Sequence, residues 1–317
     1  MNYKWIAAAV CLLALGATVG YSQLPLEYYL PSTSAQGRII RHTAFTLSYN
    51  ERSRQADWVI YLLTSARVIG QISAAPEYRP DPELKTGAVQ PGDYQGSGYD
   101  RGQLVPSGDM RWSRTALAES YYMSVVSPMK TAFRKGLWAE LETQTRNWAV
   151  EYGEIYVVSG PVLKGDLPAA GGSGIPAPRY FYRVLLVARD QGMKGIGFIL
   201  PADGSKKPLL SYSTSIDSVE SVTGINFFPN LPDQAENALE ASFDPVKWSV
   251  KAAGQDLTSR AVTVPVPAQR KISGKAFTPA VLCKGTTKDG KRCMRMTTNP
   301  NGYCWEHQDQ AKYSNTP

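Results

Sequence analysis

Five runs of apolar, β-branched or aromatic residues constrain the fold of this chain most, because their length and composition are typical of β-strands. The runs are residues 43–49, 58–63, 155–162, 180–187 and 195–200. Polar residues 50–54 separate the first two runs, so these two predict a strand pair. The last three are apolar enough to predict the central strands of a sheet.

Two helical patterns lie between the second and third runs. Residues 113–122 predict a short helix, and residues 133–149 predict a longer one that buries Leu137, Leu141 and Trp148. A second stripe of the longer helix, with members spaced by four residues, consists of Arg134, Trp138, Glu142 and Arg146. The longer helix therefore carries charged side chains along one line as well as a buried face.

A polar segment, Asp100-Arg101-Gly102-Gln103, precedes both helical patterns and follows a loop rich in Pro, Gly and Asp at residues 76–98. Residues 92–148, which contain this segment, closely resemble the DNA/RNA non-specific endonucleases, the ββα-metal family that includes mitochondrial endonuclease G. Segments 154–163 and 224–231 extend the resemblance over roughly residues 40–235.

The resemblance implies an α+β chain with a ββα-metal nuclease fold around a central, mainly antiparallel sheet. It also implies a non-specific DNA or RNA partner, a Mg²⁺ cofactor and, as in some members of the family, a homodimer.

The position of the general base departs from the family. Metal-dependent hydrolysis of a phosphodiester needs a base that deprotonates water, a divalent cation and arginines that hold the phosphate. In the family the base is the histidine that follows Asp-Arg-Gly, and here Gln103 stands at that position. A carboxamide orients a water molecule but does not take its proton near neutral pH. Loss of general-base help costs about 10²–10⁴ in rate.

The position of the Mg²⁺ ligand departs from the family as well. The resemblance places an asparagine ligand in a Phe-Asn-x-Gly-x-Trp pattern, where this chain has Arg134. A guanidinium offers only donors and repels a cation, so Mg²⁺ is expected to bind at Arg134 and Glu142 poorly or not at all. Val125 and Met129 likewise replace a family asparagine and glutamine. The resemblance is therefore to a nuclease with a degenerate site.

Other positions of the implied site are retained. Arg101 still lies beside the base position, and Glu142 and Arg146 match the glutamate and arginine of the family helix. The implied catalytic set is thus Gln103, Arg101, Glu142 and Arg146, and the implied phosphate-binding set is Arg101, Arg134 and Arg146.

Each of these residues also has a structural interpretation. The glutamate and arginine of the helix could form an ordinary surface pair, and Arg101 could form an ion pair with Asp100 or Asp109. Arg134 could be a solvated arginine at a helix terminus, or a positive group that replaces the lost ion. His42 matches no motif and is interpreted as structural.

The C-terminal region contains a pattern of metal ligands. Three cysteines and a histidine follow the spacing Cys-x₉-Cys-x₁₀-Cys-x₂-His, a ligand set that suits tetrahedral Zn²⁺. The alternative is one disulfide and a free thiol. Three of the four cysteines lie outside residues 1–23, and this odd number argues against the alternative. With few apolar residues, such a module needs its metal to fold. The predicted ligands are Cys283, Cys293, Cys304 and His307.

Positive charge is concentrated in the same region. Residues 270–317 contain nine Lys/Arg against three Asp/Glu, a net charge of +6, which leaves +1 of the total of +7 for the first 269 residues. Neutralised phosphates dominate non-specific affinity for nucleic acid, so this tail should attract a polyanion most strongly. The predicted nucleic-acid contacts in the tail are Lys288, Lys291, Arg292 and Arg295.

The N-terminal segment predicts an exported protein. Residues 1–23 carry an early Lys4, an apolar run of about 14 residues and small residues before Gln23, as in a signal peptide. An uncleaved membrane anchor is the alternative, although a span needs about 20 residues. No further transmembrane segment is expected. The predicted boundaries are 1–23 signal peptide, 24–260 nuclease-like domain, 261–281 linker and 282–317 zinc module.

Three functions are compatible with these residues. The chain could be a nucleic-acid-binding protein with lost or strongly reduced hydrolysis, an active exported endonuclease with an atypical site, or a scaffold for protein interactions. The first interpretation follows from Gln103 and Arg134, since neither side chain supplies what its position requires.

Overall fold

A computed structural model describes most of the chain. The described residues of the first compact unit, Met1–Ala261, are 24–34, 37–73, 76–85, 87–189 and 192–248. Those of the second unit, Val262–Pro317, are 281–287, 290, 293, 296–297, 299–304 and 307–313. The predicted signal peptide, nearly all of the predicted linker, and Lys288, Lys291, Arg292 and Arg295 lie outside the described residues.

Within the described residues, the strands form one large sheet and three small ones. They are β1 (Gly37–Arg41), β2 (Phe45–Asn50), β3 (Gln55–Thr64), β4 (Asp100–Gln103), β5 (Val126–Met129), β6 (Glu154–Pro161), β7 (Ala169–Ala170), β8 (Ile175–Pro176), β9 (Tyr180–Arg189), β10 (Gly192–Pro201), β11 (Ser213–Thr214), β12 (Val281–Leu282) and β13 (Met296–Thr297). The large sheet has the order β1-β2-β3-β6-β9-β10-β11. All its neighbours are antiparallel. The pairs β4–β5, β7–β8 and β12–β13 form the small sheets.

The helices are short except for one that follows β5. They are α1 (Ser65–Val68), α2 (Arg114–Glu119), α3 (Thr131–Phe133), α4 (Ala139–Tyr152), α5 (Ile216–Thr223), α6 (Asp233–Ala241) and α7 (Gln308–Tyr313). A π-helical turn over Arg134–Trp138 joins α3 to α4, and within it Gly136 leaves helical geometry with φ −99° and ψ −110°. In the described part of the chain, no helix is both long and apolar enough to traverse a bilayer.

The large sheet is buried on both faces, and this burial explains the apolar runs. Along β3, Val59, Tyr61 and Leu63 belong to the core that packs against α4, while Trp58 and Ile60 belong to the core beneath α5 and α6. Since successive side chains of a strand point to opposite faces, a strand between two cores is apolar at nearly every position. The mixed α and β architecture with a central antiparallel sheet is therefore confirmed.

The five predicted runs coincide with β2, β3, β6, β9 and β10. The predicted helix 113–122 is shorter in the structure, because α2 ends at Glu119. Its start is fixed by the side chain of Ser113, whose hydroxyl accepts a hydrogen bond from the backbone N–H of Ala116 at 3.3 Å.

Candidate nuclease-like site

The predicted site is assembled by β4, β5 and the helical segment that follows them. Gly102 on β4 pairs with Ser127 on β5 in an antiparallel hairpin-like sheet. A Cβ atom on residue 102 would meet the side chain of Met129, so a larger residue at this position would force that side chain to move. The segment α3–π turn–α4 begins directly after β5, which gives the order of two strands and a helix.

Gln103 is the last residue of β4, and its side-chain amide is a hydrogen-bond donor. Its Nε2 donates a hydrogen bond to the carbonyl oxygen of Ser120 at 2.8 Å. Its own backbone oxygen lies 3.2 Å from Nε1 of Trp138, which donates to it. Gln103 is therefore fixed through its side chain to the end of α2 and through its backbone to the end of the π turn.

Val125 and Met129 fill the space beside this strand. Both side chains are 0% exposed and belong to the core that packs against α4. Polar side chains that could bind a cation are absent at these two positions, because the chain uses them for packing.

Arg134 lies at the first residue of the π turn and forms an ion pair with β4. Its Nε is 2.7 Å from Oδ2 of Asp100, and both side chains are partly exposed. Burial alone would raise the pKa of Asp100, but hydrogen bonds from Arg134 and Thr131 and the charges of Arg134 and Lys135 outweigh it and lower that pKa. The carboxylate of Asp100 is thus neutralised by the guanidinium at the predicted metal-ligand position.

A cleft with a volume of about 280 Å³ opens at this ion pair. The guanidinium of Arg101 lies over the ring of Tyr78 at 5.1 Å, and in the described part of the chain it forms no ion pair. The alternative of an ion pair between Arg101 and Asp100 or Asp109 is therefore not what the structure has. The residues that line the cleft are Tyr78, Tyr94, Tyr99, Asp100, Arg101 and Arg134.

Arg146 lies deeper and belongs to a buried network. Its Nη1 is 3.0 Å from Oδ1 of Asp109, a fully buried carboxylate, and its Nη2 donates to Oγ1 of Thr143 at 3.0 Å. Asp109 also accepts a hydrogen bond from the hydroxyl of Tyr61 at 2.7 Å. Burial alone would lower the pKa of Arg146, but the charges of Asp109 and Glu142 raise it.

Glu142 lies between this network and a buried arginine. Burial raises the pKa of Glu142 to about 7; the charge of Asp109 also raises it, while Arg183, Arg146 and a hydrogen bond from Trp138 oppose the shift. A carboxyl group with a pKa near neutrality is partly protonated under physiological conditions.

Arg183 on β9 is a site residue that the sequence analysis missed. It is 0% exposed, its Nε donates to Oγ of Ser159 at 2.9 Å and its Nη1 to Oγ1 of Thr145 at 3.2 Å. Its guanidinium lies 4.6 Å from the centre of the Trp138 ring. The sequence did contain a signal, because Arg183 is the one charged residue in the apolar run 180–187. A charge that is buried with such a strand needs polar partners, so its position indicates a buried polar network.

His42 lies in a different environment. Its Nε2 is 2.8 Å from Oδ2 of buried Asp81, and its ring contacts those of Phe45 and Tyr122. These contacts join the turn between β1 and β2 to the loop before β4 and to the segment that follows α2, as expected of a structural histidine.

The second unit brings its four predicted ligands together. One ligand atom from each of Cys283, Cys293, Cys304 and His307 lies within 4.8 Å of the others, and all four residues are buried. Nδ1 of His307 is 3.5 Å from Sγ of Cys283 and 3.3 Å from Sγ of Cys304. The three cysteines are free, so the alternative of a disulfide is not present in the structure.

The sulfur of Cys283 accepts hydrogen bonds that favour its thiolate form. Backbone N–H groups of Gly285 and Cys304 donate to its Sγ at 3.3 and 3.2 Å. Burial alone would raise the pKa of Cys283, but these hydrogen bonds outweigh it and lower the pKa to about 6. Thiolate and imidazole are the donors that Zn²⁺ prefers, and four buried ones fit a structural site.

The side chains beside β4, by contrast, do not fit Mg²⁺. Mg²⁺ requires oxygen ligands in a strict octahedral arrangement. Here Arg134 occupies the ligand position and pairs with Asp100, and the neighbouring positions are apolar. No step that depends on this ion follows from these residues.

Comparisons with known proteins agree with the geometry. The model of the family described as DNA/RNA non-specific endonuclease matches residues 23–234. A second model, described as a domain of unknown function (DUF5763), matches residues 280–317.

Curated relatives cover most of the first unit. The mitochondrial nuclease EXOG of Danio rerio is 29% identical over 257 residues, which span 69% of this chain and 74% of the relative. Nuclease C1 of Cunninghamella echinulata var. echinulata is 29% identical, over 66% of this chain and 89% of its own. Mitochondrial endonuclease G of Bos taurus is 28% identical, over 71% and 80%.

A solved structure shares the fold. A chain from the crystal structure of the EndoG/EndoGI complex superimposes with a TM-score of 0.61 at 23% identity, and covers 66% of this chain and 92% of the solved one. At this identity the likeness establishes the ββα-metal fold of the first unit.

Proposed function

Because the chain belongs to the DNA/RNA non-specific endonuclease family, we propose that it binds nucleic acid at the nuclease-like cleft with hydrolysis lost or strongly reduced. One observation carries the proposal. At the base position the amide of Gln103 donates to Ser120, and at the metal-ligand position Arg134 pairs with Asp100 at 2.7 Å. An amide donor does not deprotonate water, and a paired guanidinium does not bind a cation.

The cleft supplies groups that suit binding. Arg101 and Arg134 are cations that contact phosphate oxygens well, because a guanidinium presents several donors in one plane. Tyr78 and Tyr99 line the same cleft and offer rings on which bases stack. Arg146 is committed to Asp109, so it supports the cleft rather than contacting the ligand.

Fluorescence anisotropy with labelled DNA and RNA, combined with electrophoresis of the same mixtures in Mg²⁺ or Mn²⁺, tests both halves of the proposal. We expect binding without strand breaks, and weaker binding for Arg101→Ala. Arg52→Ala removes an exposed arginine in the turn between β2 and β3 and is the matched control. Efficient cleavage by the wild-type protein would refute the loss of hydrolysis, and equal affinities of the two variants would refute binding at the cleft.

A second candidate function is hydrolysis by an atypical site, and Glu142 favours it. A carboxyl group with a pKa of about 7 has the proton affinity that general bases use. Trp138 connects it to β4, since the indole N–H also donates to the backbone oxygen of Gln103. In that case any cleavage by the wild-type protein would disappear in Glu142→Gln and would rise through pH 7, the approximate pKa of this group.

We further propose that the second unit binds one structural Zn²⁺ through Cys283, Cys293, Cys304 and His307. The convergence of four buried donors supports this assignment. Metal analysis of the purified full chain should give one Zn²⁺, and Cys293→Ser should lose it. Thiol titration of the wild-type protein checks the alternative, because a disulfide would leave one reactive thiol among these three cysteines and no zinc.

The basic residues of the tail, Lys288, Lys291, Arg292 and Arg295, remain a proposed contact with nucleic acid. Removing residues 266–317 should flatten the salt dependence of the affinity, because fewer phosphates would be neutralised. An unchanged slope would contradict the proposal.

We also propose that residues 1–23 direct export of the protein. N-terminal sequencing of the mature protein tests this proposal.

A further inference from the structure

A cluster of acidic side chains lies on the face of the large sheet opposite α4. Asp217 and Glu220 belong to α5, and Glu236 and Glu240 belong to α6. The two helices pack on each other and on β10. One carboxylate oxygen from each of Asp217, Glu220 and Glu240 lies within 4.8 Å of the other two. The cluster is separate from the cleft, because the sheet lies between them.

Glu240 is the buried member of the cluster. Its residue is only 5% exposed, and its Oε1 has no hydrogen-bond partner. Buried carboxylate oxygens are almost always paired in folded proteins, because removal from water is costly. The unsatisfied oxygen of Glu240 therefore points to a missing ligand.

Protein groups do not neutralise the cluster. Within the described residues, no Lys, Arg or His nitrogen lies within 4.0 Å of these four carboxylates. Glu220 accepts the backbone N–H of Phe227 through Oε1 at 2.7 Å and shares a hydrogen bond with Glu240. Three carboxylates this close together, one of them buried, repel each other unless a shared proton or a cation lies between them.

The two possibilities leave different atoms unsatisfied. A proton between Glu220 and Glu240 would explain their hydrogen bond, but it would leave Oε1 of buried Glu240 without a partner. A cation would neutralise the converging oxygens of both helices at once. Carboxylates without histidine or cysteine are the donor set of a hard cation.

We propose that Asp217, Glu220 and Glu240 bind one Ca²⁺, which links α5 to α6. Ca²⁺ takes oxygen ligands at about 2.3–2.6 Å, so donors up to about 5 Å apart reach one ion. Mg²⁺ needs donors at about 2.0–2.1 Å in an octahedron and keeps several waters, which suits this arrangement less. Glu236 adds negative charge beside the ion. The ion would stabilise the fold and would take no part in the nuclease-like cleft.

Calorimetric titration of the full chain with CaCl₂, in buffer freed of Ca²⁺ and near neutral pH, tests the site. The expected result is one Ca²⁺ per chain and a rise in the melting temperature. Glu240→Gln should weaken the affinity at least about tenfold, because one charged ligand is lost. Asp217→Asn should act in the same direction, and it changes an exposed residue.

Glu51→Gln is the matched control, since Glu51 is an exposed acid in the turn between β2 and β3. Its Ca²⁺ affinity should equal that of the wild-type protein. Absence of binding by the wild-type protein at millimolar Ca²⁺ would overturn the proposal and leave the shared proton as the explanation. Unchanged affinity in both Glu240→Gln and Asp217→Asn would overturn the assignment of the ligands.

Discussion

Replacing Arg146 by leucine tests whether this arginine supports the cleft or belongs to the surface. The change removes the guanidinium that lies 3.0 Å from Asp109, a fully buried carboxylate, and leaves the Tyr61 hydroxyl that donates to it at 2.7 Å. Removing one member of a buried ion pair costs about 3–5 kcal/mol, because the other charge stays away from water. An exposed pair is worth about 0–1 kcal/mol. The two interpretations thus predict losses in the free energy of unfolding that differ several-fold.

Urea unfolding, followed by the fluorescence of the buried tryptophans, measures this cost. We expect a lower midpoint at an unchanged slope for Arg146→Leu, since a change in stability alone moves the midpoint. Asp109→Asn combined with Arg146→Leu should be less destabilised than the sum of the single variants, because residues in contact couple by about 0.5–3 kcal/mol. A loss of less than about 1 kcal/mol in Arg146→Leu would refute the buried network.

Two further predictions concern the same region. For Glu142, a folded pKa raised from 4.5 to about 7 means that its contribution to stability is complete below about pH 4.5 and is lost as the pH rises through 7, a loss of about 3 kcal/mol. Glu142→Gln should remove this loss, and urea unfolding of both proteins across that pH range would contradict the prediction if the two curves stayed parallel. Gly102→Ala should cost about 1–3 kcal/mol by overpacking against Met129. Met129→Ala in the same chain should recover part of that cost, and thermal melts that show additive losses would argue against the close contact.

The strands could be predicted from sequence because the sheet is covered on both faces. In the run 180–187, Phe181 and Leu185 face one core and Tyr182 and Val184 face the other, so the apolar character is nearly continuous. Helices α5 and α6 were not predicted. Their sequences are mixed, and their burial depends on contact with β10, which no local pattern records.

The position of the site could be predicted from the family resemblance, but the contacts between its residues could not be predicted. Arg134 and its partner Asp100 are 34 residues apart, and Gln103 and Ser120 are 17 apart. Such pairs are set by the folding of β4 against α2 and the π turn. The π turn itself had no signal beyond Gly136, whose lack of a side chain permits its unusual backbone angles.

The central claim is that Gln103 and Arg134 deprive the site of its base and its cation. The rate of plasmid cleavage in Mg²⁺, compared between the wild-type chain and Gln103→His combined with Arg134→Asn, tests it most directly. An imidazole and a neutral oxygen ligand should raise the rate at least about 10²-fold. Cleavage by the wild-type protein at the same rate as the double variant would contradict the claim.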